Sequence, residues 1–226
     1  MKMLIGIPAY NEEKLISQVI RSLPKKLKGV ENIDVLVVDD GSTDKTAQKA
    51  KEEGTKVLRH ILNRGLGGAL KTIFAYAKSQ DYDLLVTFDA DGQHHPSDVV
   101  KMIKPLIKDK KDVVIGSRWK LSKNIPLSRL IVNKLANVIT YLIFSVWSSD
   151  SQSGLRAFNK RAIKLIELQS DGMEVSSEFF RETYRNSLNF QEVPIVVKYT
   201  SYSQNKGQRL TNAPSVLFHL FMRLLR

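Results

Sequence analysis

The sequence of 226 residues contains no cysteine. Disulfide bonds and thiolate metal sites are therefore excluded. Its four histidines, His60, His94, His95 and His219, do not have the spacing of a zinc site. No apolar run reaches the roughly 18 residues that a membrane-crossing helix requires. The longest candidate, residues 138–147, is about half that length. The apolar stretch at residues 1–8 is too short for a secretory signal and is followed at once by polar residues. The chain ends inside an apolar helical pattern, which leaves room for a longer natural protein with membrane helices, or for a membrane-anchoring partner. Acidic residues are also in deficit, 23 Asp and Glu against 35 Lys and Arg, for a formal charge of +12. Such a surplus attracts nucleic acid, acidic lipid or phosphorylated small molecules, although it also simply solubilises a surface. What is present is ordinary for a folded domain: 42% hydrophobic and 26% charged residues, in a chain long enough for one substantial core.

The first half alternates strand and helix signals. Buried strands are expected at residues 3–7, 33–38, 84–88 and 113–116, with a short one at 56–59. Between them the pattern predicts helices. Asn11 is the expected N-cap of the first, with Glu12 and Glu13 in its first turn and Pro24 beyond its end. The second is expected to end at Gly54, the third to open at Gly65 and run to about Ser79, and the fourth to be capped by Ser97 and reach Lys108. Strand–helix alternation of this kind means parallel strands with crossover helices on both faces. Ligands in such sheets bind beyond the C-terminal strand ends. Three polar clusters fall there, at residues 8–12, 39–44 and 89–93. The second half is less regular. A helix is expected over 126–147, strands over 155–158 and 192–199, a helix over 175–186, a polar loop over 201–212 and an amphipathic helix over 214–226.

Asp89-Ala90-Asp91-Gly92-Gln93 follows an apolar strand. If the strand continued in extended form, Asp89 and Asp91 would point to one side. Adjacent carboxylates repel, and a hard cation with oxygen ligands, Mg²⁺ or Mn²⁺, relieves that repulsion. Asp and Gly also form plain solvated turns, so the motif alone leaves both readings open. Asp39-Asp40-Gly41-Ser42-Thr43-Asp44 offers carboxylates that could accept hydrogen bonds from a base or a ribose, or an Asx turn that caps a helix. The glycines among residues 63–69 could admit a ligand close to a helix N-terminus, or could serve tight packing.

Taken together, Ile7-Pro8-Ala9-Tyr10-Asn11-Glu12-Glu13, Val37-Val38-Asp39-Asp40-Gly41-Ser42-Thr43-Asp44 and Asp89-Ala90-Asp91-Gly92-Gln93-His94 resemble the signature of family 2 glycosyltransferases. The dolichyl-phosphate mannose synthase and polyprenyl-phosphate glycosyltransferase branch is the most similar subgroup. Gly116-Ser117-Arg118, the segment from Asp150 to Arg156, and Glu192-Val193-Pro194-Ile195 carry the resemblance through most of the chain. It implies an α/β GT-A fold, a Rossmann-like, mostly parallel sheet flanked by helices, with a C-terminal amphipathic helix. It implies a single domain over 1–226, with residues 1–118 the nucleotide-sugar half and 119–226 an acceptor half with interfacial helices. Pro8, Tyr10, Glu12, Asp39 and Asp40 would hold the base and ribose of a GDP- or UDP-linked sugar. Asp89, Ala90 and Asp91 would meet its diphosphate, with Asp89, Asp91 and Gln93 as the metal ligands. Lys206 matches the lysine of a mobile loop that closes over the donor, but Thr200 stands where the family often has an arginine.

The subgroup implies a polyprenyl phosphate acceptor. Arg118 follows a strand end, and Arg129, Asn133 and Asn137 recur every four residues on one face of an otherwise apolar helix. A polar stripe of this kind suits a phosphate head with an apolar tail, although Arg129 could be only a surface charge. The expected acceptor-binding residues are Arg118, Arg129 and Asn133, and those expected to carry catalysis are Asp91, Arg118 and Arg129. The 214–226 helix, with Arg223 and Arg226 at its end, suits the surface of an anionic membrane or the domain's own core. The expected location is thus peripheral, on the cytoplasmic face. A second reading is a family 2 enzyme that uses a glycan or small-molecule hydroxyl. A hydroxyl needs a general base, for which Asp150 is a candidate, whereas a phosphate monoester is already anionic. A third reading, a non-catalytic basic module for nucleic acid or membrane, explains the charge but not the acidic strand ends. No nucleic-acid partner is expected.

Overall fold

The computed structural model describes residues 1–118, 134, 137, 138, 141 and 147–197. Seven strands form one sheet: β1 (Lys2–Ala9), β2 (Asn32–Asp39), β3 (Lys56–Arg59), β4 (Leu84–Thr87), β5 (Val113–Ser117), β6 (Arg156–Asn159) and β7 (Phe190–Pro194). The helices with described bounds are α1 (Ile16–Ser22), α2 (Thr46–Glu52), α3 (Leu66–Ser79), α4 (Asp98–Lys108), α5 (Lys160–Leu165) and α6 (Val175–Arg185), and residues 134, 137, 138 and 141 are helical as well. The strand order is β3-β2-β1-β4-β6-β5-β7. All pairings are parallel except those of β6, which runs antiparallel to both β4 and β5. The fold is therefore the expected α/β type with a mostly parallel sheet.

The sheet buries both faces, which is why its central strands read as unbroken apolar runs. Alternation along β1 sends Met3, Ile5 and Ile7 to one core, with Ile16 and Val19 of α1 and Val99, Met102 and Ile103 of α4. Leu4 faces the other core, with Leu70, Ile73 and Phe74 of α3 and Phe179 and Phe180 of α6. There Phe158 meets Phe74 edge-on at 4.9 Å and stacks on Phe179 at 5.3 Å. Truncating Phe158 to Ala would cost about 3–5 kcal/mol.

Several local expectations need correction. Asn11 does not cap a helix. It has φ +53°, and α1 begins only at Ile16. Its side chain instead accepts a hydrogen bond from Thr43 N at 2.9 Å, so a neighbouring loop takes the oxygen that a cap would have used. Strand β4 stops at Thr87, and Gly92 has φ +71°, so Asp89 and Asp91 stand on a turn rather than on an extended strand. Ser97 occupies the N-cap position of α4, but its hydroxyl pairs with His95 Nδ1 at 2.7 Å. The strand expected over 192–199 is β7, which ends at Pro194; beyond it Val197 makes one antiparallel bridge to His94. Helix α5 was not expected. Asn159 caps it by accepting from Ala162 N at 2.9 Å. The helix expected over 126–147 falls largely outside the described residues, and the 201–212 loop and the 214–226 helix fall wholly outside them.

Candidate active site

The parallel register aligns the C-terminal ends of four strands. Ala9 pairs with Asp39, Asp39 with Arg59, and Gly6 with Thr87, so the polar clusters that follow them share one edge of the sheet. The loops after β1 and β2 are stitched together. Asn11 N donates to Ser42 Oγ at 2.9 Å, Glu12 N to Thr46 Oγ1 at 2.7 Å, and Glu13 N to Asp44 Oδ2 at 3.2 Å. Glu12 is buried in this seam, while Tyr10 stands half exposed at the rim and Pro8 is partly covered.

Asp39 and Asp40 are both buried. Asp39 Oδ1 accepts from Ser42 N at 3.1 Å. Its Oδ2 has Arg59 Nε at 3.1 Å as an ion-pair contact and no aligned hydrogen bond among the described residues. Asp40 is occupied more fully. It accepts from Arg64 N at 3.0 Å and Gly65 N at 2.7 Å, and His60 Nδ1 lies 2.6 Å from Oδ1. Its carboxylate thus organises the 60–65 loop. The glycines at the start of α3 serve packing: a Cβ at Gly65 or Gly67 would overlap the backbone of Asp171 or Ser170.

The Asp89–Asp91 turn is different. Asp89 Oδ2 meets His94 Nε2 at 2.9 Å. Burial works to raise the Asp89 pKa, but the His94 hydrogen bond and the charges of Arg156 and Arg118 outweigh it, so the carboxyl lies below its ordinary range. Asp91 is pushed up to about 6, first by burial and then by the negative charge of Asp89. Among the described residues its oxygens are met by Gln93, from the backbone N at 3.0 Å and from Nε2 at 2.7 Å. Two crowded carboxylates, one held ionised and one destabilised by the other, are a donor set that a hard divalent cation fits. Among the described residues no group of three or more His, Asp or Glu side chains could hold a metal, so water and ligand oxygens would have to complete the shell.

Because β6 runs antiparallel, the segment before it arrives at this same edge. Thr87 pairs with Arg156, and Thr87 Oγ1 donates to Gly154 O at 2.8 Å. Asp150 is fully buried and holds Arg118 as a fork, from Nε at 2.6 Å and Nη2 at 2.5 Å, and accepts from Arg118 N at 3.0 Å. Asn137 is buried and clasps the loop, donating to Ser149 O at 2.6 Å and accepting from Ser151 N at 2.9 Å. Glu192 accepts from Ser148 Oγ, Ser149 N and Ser149 Oγ at 2.6–2.7 Å. Arg156 is buried over the Phe179 ring, 4.5 Å from its centroid, and burial lowers its pKa to about 10 against the pull of Asp89 and Asp150.

The structure thus brings Pro8, Tyr10, Glu12, Asp39, Asp40, Asp89, Ala90, Asp91, Gln93 and Arg118 to one sheet edge. Arg129, Asn133 and Lys206 lie outside the described residues. Sequence reasoning gave no role to His94, Gly154 or Arg156. The available signal was their place in two of the motifs that carry the resemblance, the Asp89–His94 run and the Asp150–Arg156 segment.

Comparison with known proteins follows the same lines. The glycosyl transferase family 2 profile matches residues 4–166. An uncharacterized protein of Methanocaldococcus jannaschii is 47% identical over 98% of this chain and 92% of its own. The UDP-N-acetylglucosamine–dolichyl-phosphate N-acetylglucosaminyltransferase of Methanococcus voltae is 40% identical over 97% of this chain and 93% of its own. In fold, the chain is similar to glucosyl-3-phosphoglycerate synthase of Mycobacterium tuberculosis, solved with Mn²⁺, UDP and glucosyl-3-phosphoglycerate. The TM-score is 0.74 at 22% identity, over 99% of this chain and 78% of that one.

Proposed function

Since the chain belongs to glycosyl transferase family 2, we propose that it moves a sugar from a nucleoside diphosphate sugar to a polyprenyl phosphate, with inversion, at the cytoplasmic face of a membrane. The observation that carries this reading is the pairing of Arg118 with buried Asp150 beside the Asp89–Asp91 turn. Asp150 is the carboxylate that could have served a hydroxyl acceptor as base, and here both its oxygens bind a guanidinium. That arrangement favours an acceptor that needs no proton removed. It also holds Arg118 in a fixed orientation, as a guanidinium that would bind an acceptor phosphate requires.

Asp39, Tyr10, Pro8 and Glu12 would bind the base and ribose, while Asp40 shapes the loop beside them. Asp89, Asp91 and Gln93 would hold Mg²⁺ or Mn²⁺, which when bound offsets the charge developing on the departing diphosphate. An oxygen of the acceptor phosphate bonds to the sugar's anomeric carbon as the bond from that carbon to the donor diphosphate breaks. Both electrons of the broken bond leave with the nucleoside diphosphate. Arg129, Asn133 and Lys206 belong to this proposal on sequence grounds alone, as does a single domain whose acceptor half is residues 119–226. The membrane contact proposed is peripheral; no described helix is long and apolar enough to cross a membrane.

The relative from Methanococcus voltae makes UDP-N-acetylglucosamine the first donor to test. The assay supplies it, and separately a GDP-linked mannose, with Mn²⁺ and either a polyprenyl phosphate or an uncharged sugar acceptor. A sugar–phosphate–lipid product is expected. Transfer to the hydroxyl acceptor alone would contradict the proposal.

A further inference from the structure

The Asp89 carboxylate is held from two sides by residues that the proposed reaction does not otherwise use. On one side is His94, whose side chain is only 4% exposed. Its Nε2 lies 2.9 Å from Asp89 Oδ2. Its other nitrogen, Nδ1, is buried with no hydrogen-bond partner among the described residues. A buried nitrogen with no partner is costly, and an N–H there would cost more than a lone pair, so the ring proton belongs on Nε2, which donates to Asp89. The ring packs edge-on to Phe88 at 5.7 Å, and the His94 backbone is bridged to Val197, which together fix its plane and position. Were His94 mere packing, an apolar side chain would fill the space without leaving Nδ1 unsatisfied.

On the other side is Gly154. Its φ lies outside the left-handed region, so backbone conformation does not call for glycine. Space does, because a Cβ at this position would overlap both oxygens of Asp89. The Thr87 hydroxyl fixes the height of Gly154 against the end of β4 by donating to its carbonyl. The antiparallel course of β6 brings this backbone up against the turn after β4.

We propose that His94 and Gly154 form a clamp on Asp89, with His94 a positioning residue that engages Oδ2 and leaves Oδ1 to the divalent cation. This rests on the metal-dependent reading given above. Among the described residues Asp91 has no such clamp and is held by Gln93, two residues along the same turn. The two carboxylates therefore differ in kind: Asp89 is fixed in advance, and Asp91 adjusts when the cation arrives. Groups that orient a metal ligand in this way typically change metal affinity by 10–100-fold when removed.

The experiment compares wild type with His94→Phe, His94→Gln and Gly154→Ala. Phe keeps the packing and removes the donor, while Gln restores an N–H. Free Mn²⁺ is followed by electron paramagnetic resonance, with and without UDP, and circular dichroism melting checks the fold. His94→Phe and Gly154→Ala should each weaken Mn²⁺ binding about 10–100-fold with the fold retained. His94→Gln should recover most of the loss. In turnover, the KM for the sugar donor should rise while that for the lipid acceptor stays unchanged. If wild type binds Mn²⁺ and both His94→Phe and Gly154→Ala bind it equally tightly, the clamp is overturned and the metal reading stands. If wild type binds no Mn²⁺ under either condition, the metal reading fails, and the clamp with it.

Discussion

Two acidic pairs sit at the same sheet edge, Asp39–Asp40 after β2 and Asp89–Asp91 after β4, and they have opposite fates. The first pair is largely taken up by the protein, Asp40 more fully than Asp39, whose Oδ2 has no aligned hydrogen bond among the described residues. Ser42 N, Arg59, His60, Arg64 N and Gly65 N take up most of its acceptor capacity. The second pair is left in tension, with Asp89 held ionised by His94 and Asp91 pushed up to about 6 by burial and by Asp89. A carboxylate that is already satisfied shapes a loop, whereas one that is not satisfied is available to a cation. Composition and position in the fold do not separate the two pairs; their hydrogen-bond partners do.

The contrast can be broken most sharply at Asp91. Asp91→Ala should lower sugar transfer by about 10²–10³-fold, the scale of losing a charge-stabilising group at a reacting centre. Its melting temperature should stay at or above the wild-type value in chelator, because the substitution relieves repulsion. Asp40→Ala should show the reverse pattern. Removing a buried carboxylate that accepts two backbone N–H groups and pairs with His60 should cost about 3 kcal/mol, or roughly 10 °C in melting temperature. Nucleotide and metal binding by the fraction still folded should change far less.

A smaller effect should appear in the pH dependence. The folded state holds a proton on Asp91 more tightly than the unfolded state, whose carboxyl has the ordinary value of 3.8. The stability from this group is complete below about pH 4 and is lost as pH rises through about 6. Asp89, with its lowered pKa, acts with the opposite sign and at more acid pH, its contribution being lost as pH falls through its folded value. In chelator, Asp91→Asn should therefore flatten the fall in melting temperature between pH 4 and 6.5. An unchanged slope would remove Asp91 as its source. The smallest effect should come from Asp171→Ala. That residue is half exposed and pairs with Arg64 and Lys71, so about 0.5 kcal/mol or less is expected in urea denaturation.

Much of the first half was legible because apolar runs and turn residues are local signals. Strand β3 and helix α3 fall where their patterns predict, and all three polar clusters reach the expected edge. What was not legible depends on partners distant in sequence. Asn11 has the chemistry of an N-cap, but its oxygen goes to Thr43 N, 32 residues away. The four residues of β6, Arg156–Asn159, carry no information about strand direction, so its antiparallel course, which brings Asp150, Gly154 and Arg156 to the Asp89 turn, could not be read from them. Asn137 fitted a polar stripe for a ligand, yet its amide clasps the 149–151 loop. Gly154 illustrates the same limit: its importance comes from what a Cβ would strike, 65 residues back along the chain.

The most direct test of a cation-held donor site at Asp89 and Asp91 is a calorimetric titration of UDP into wild type and Asp91→Asn, each with saturating Mn²⁺ and again in chelator. The expected result is that chelation weakens UDP binding by about tenfold or more in wild type, worth about 1.4 kcal/mol, and leaves Asp91→Asn almost unaffected. Equal affinity of wild type for UDP in Mn²⁺ and in chelator would contradict it.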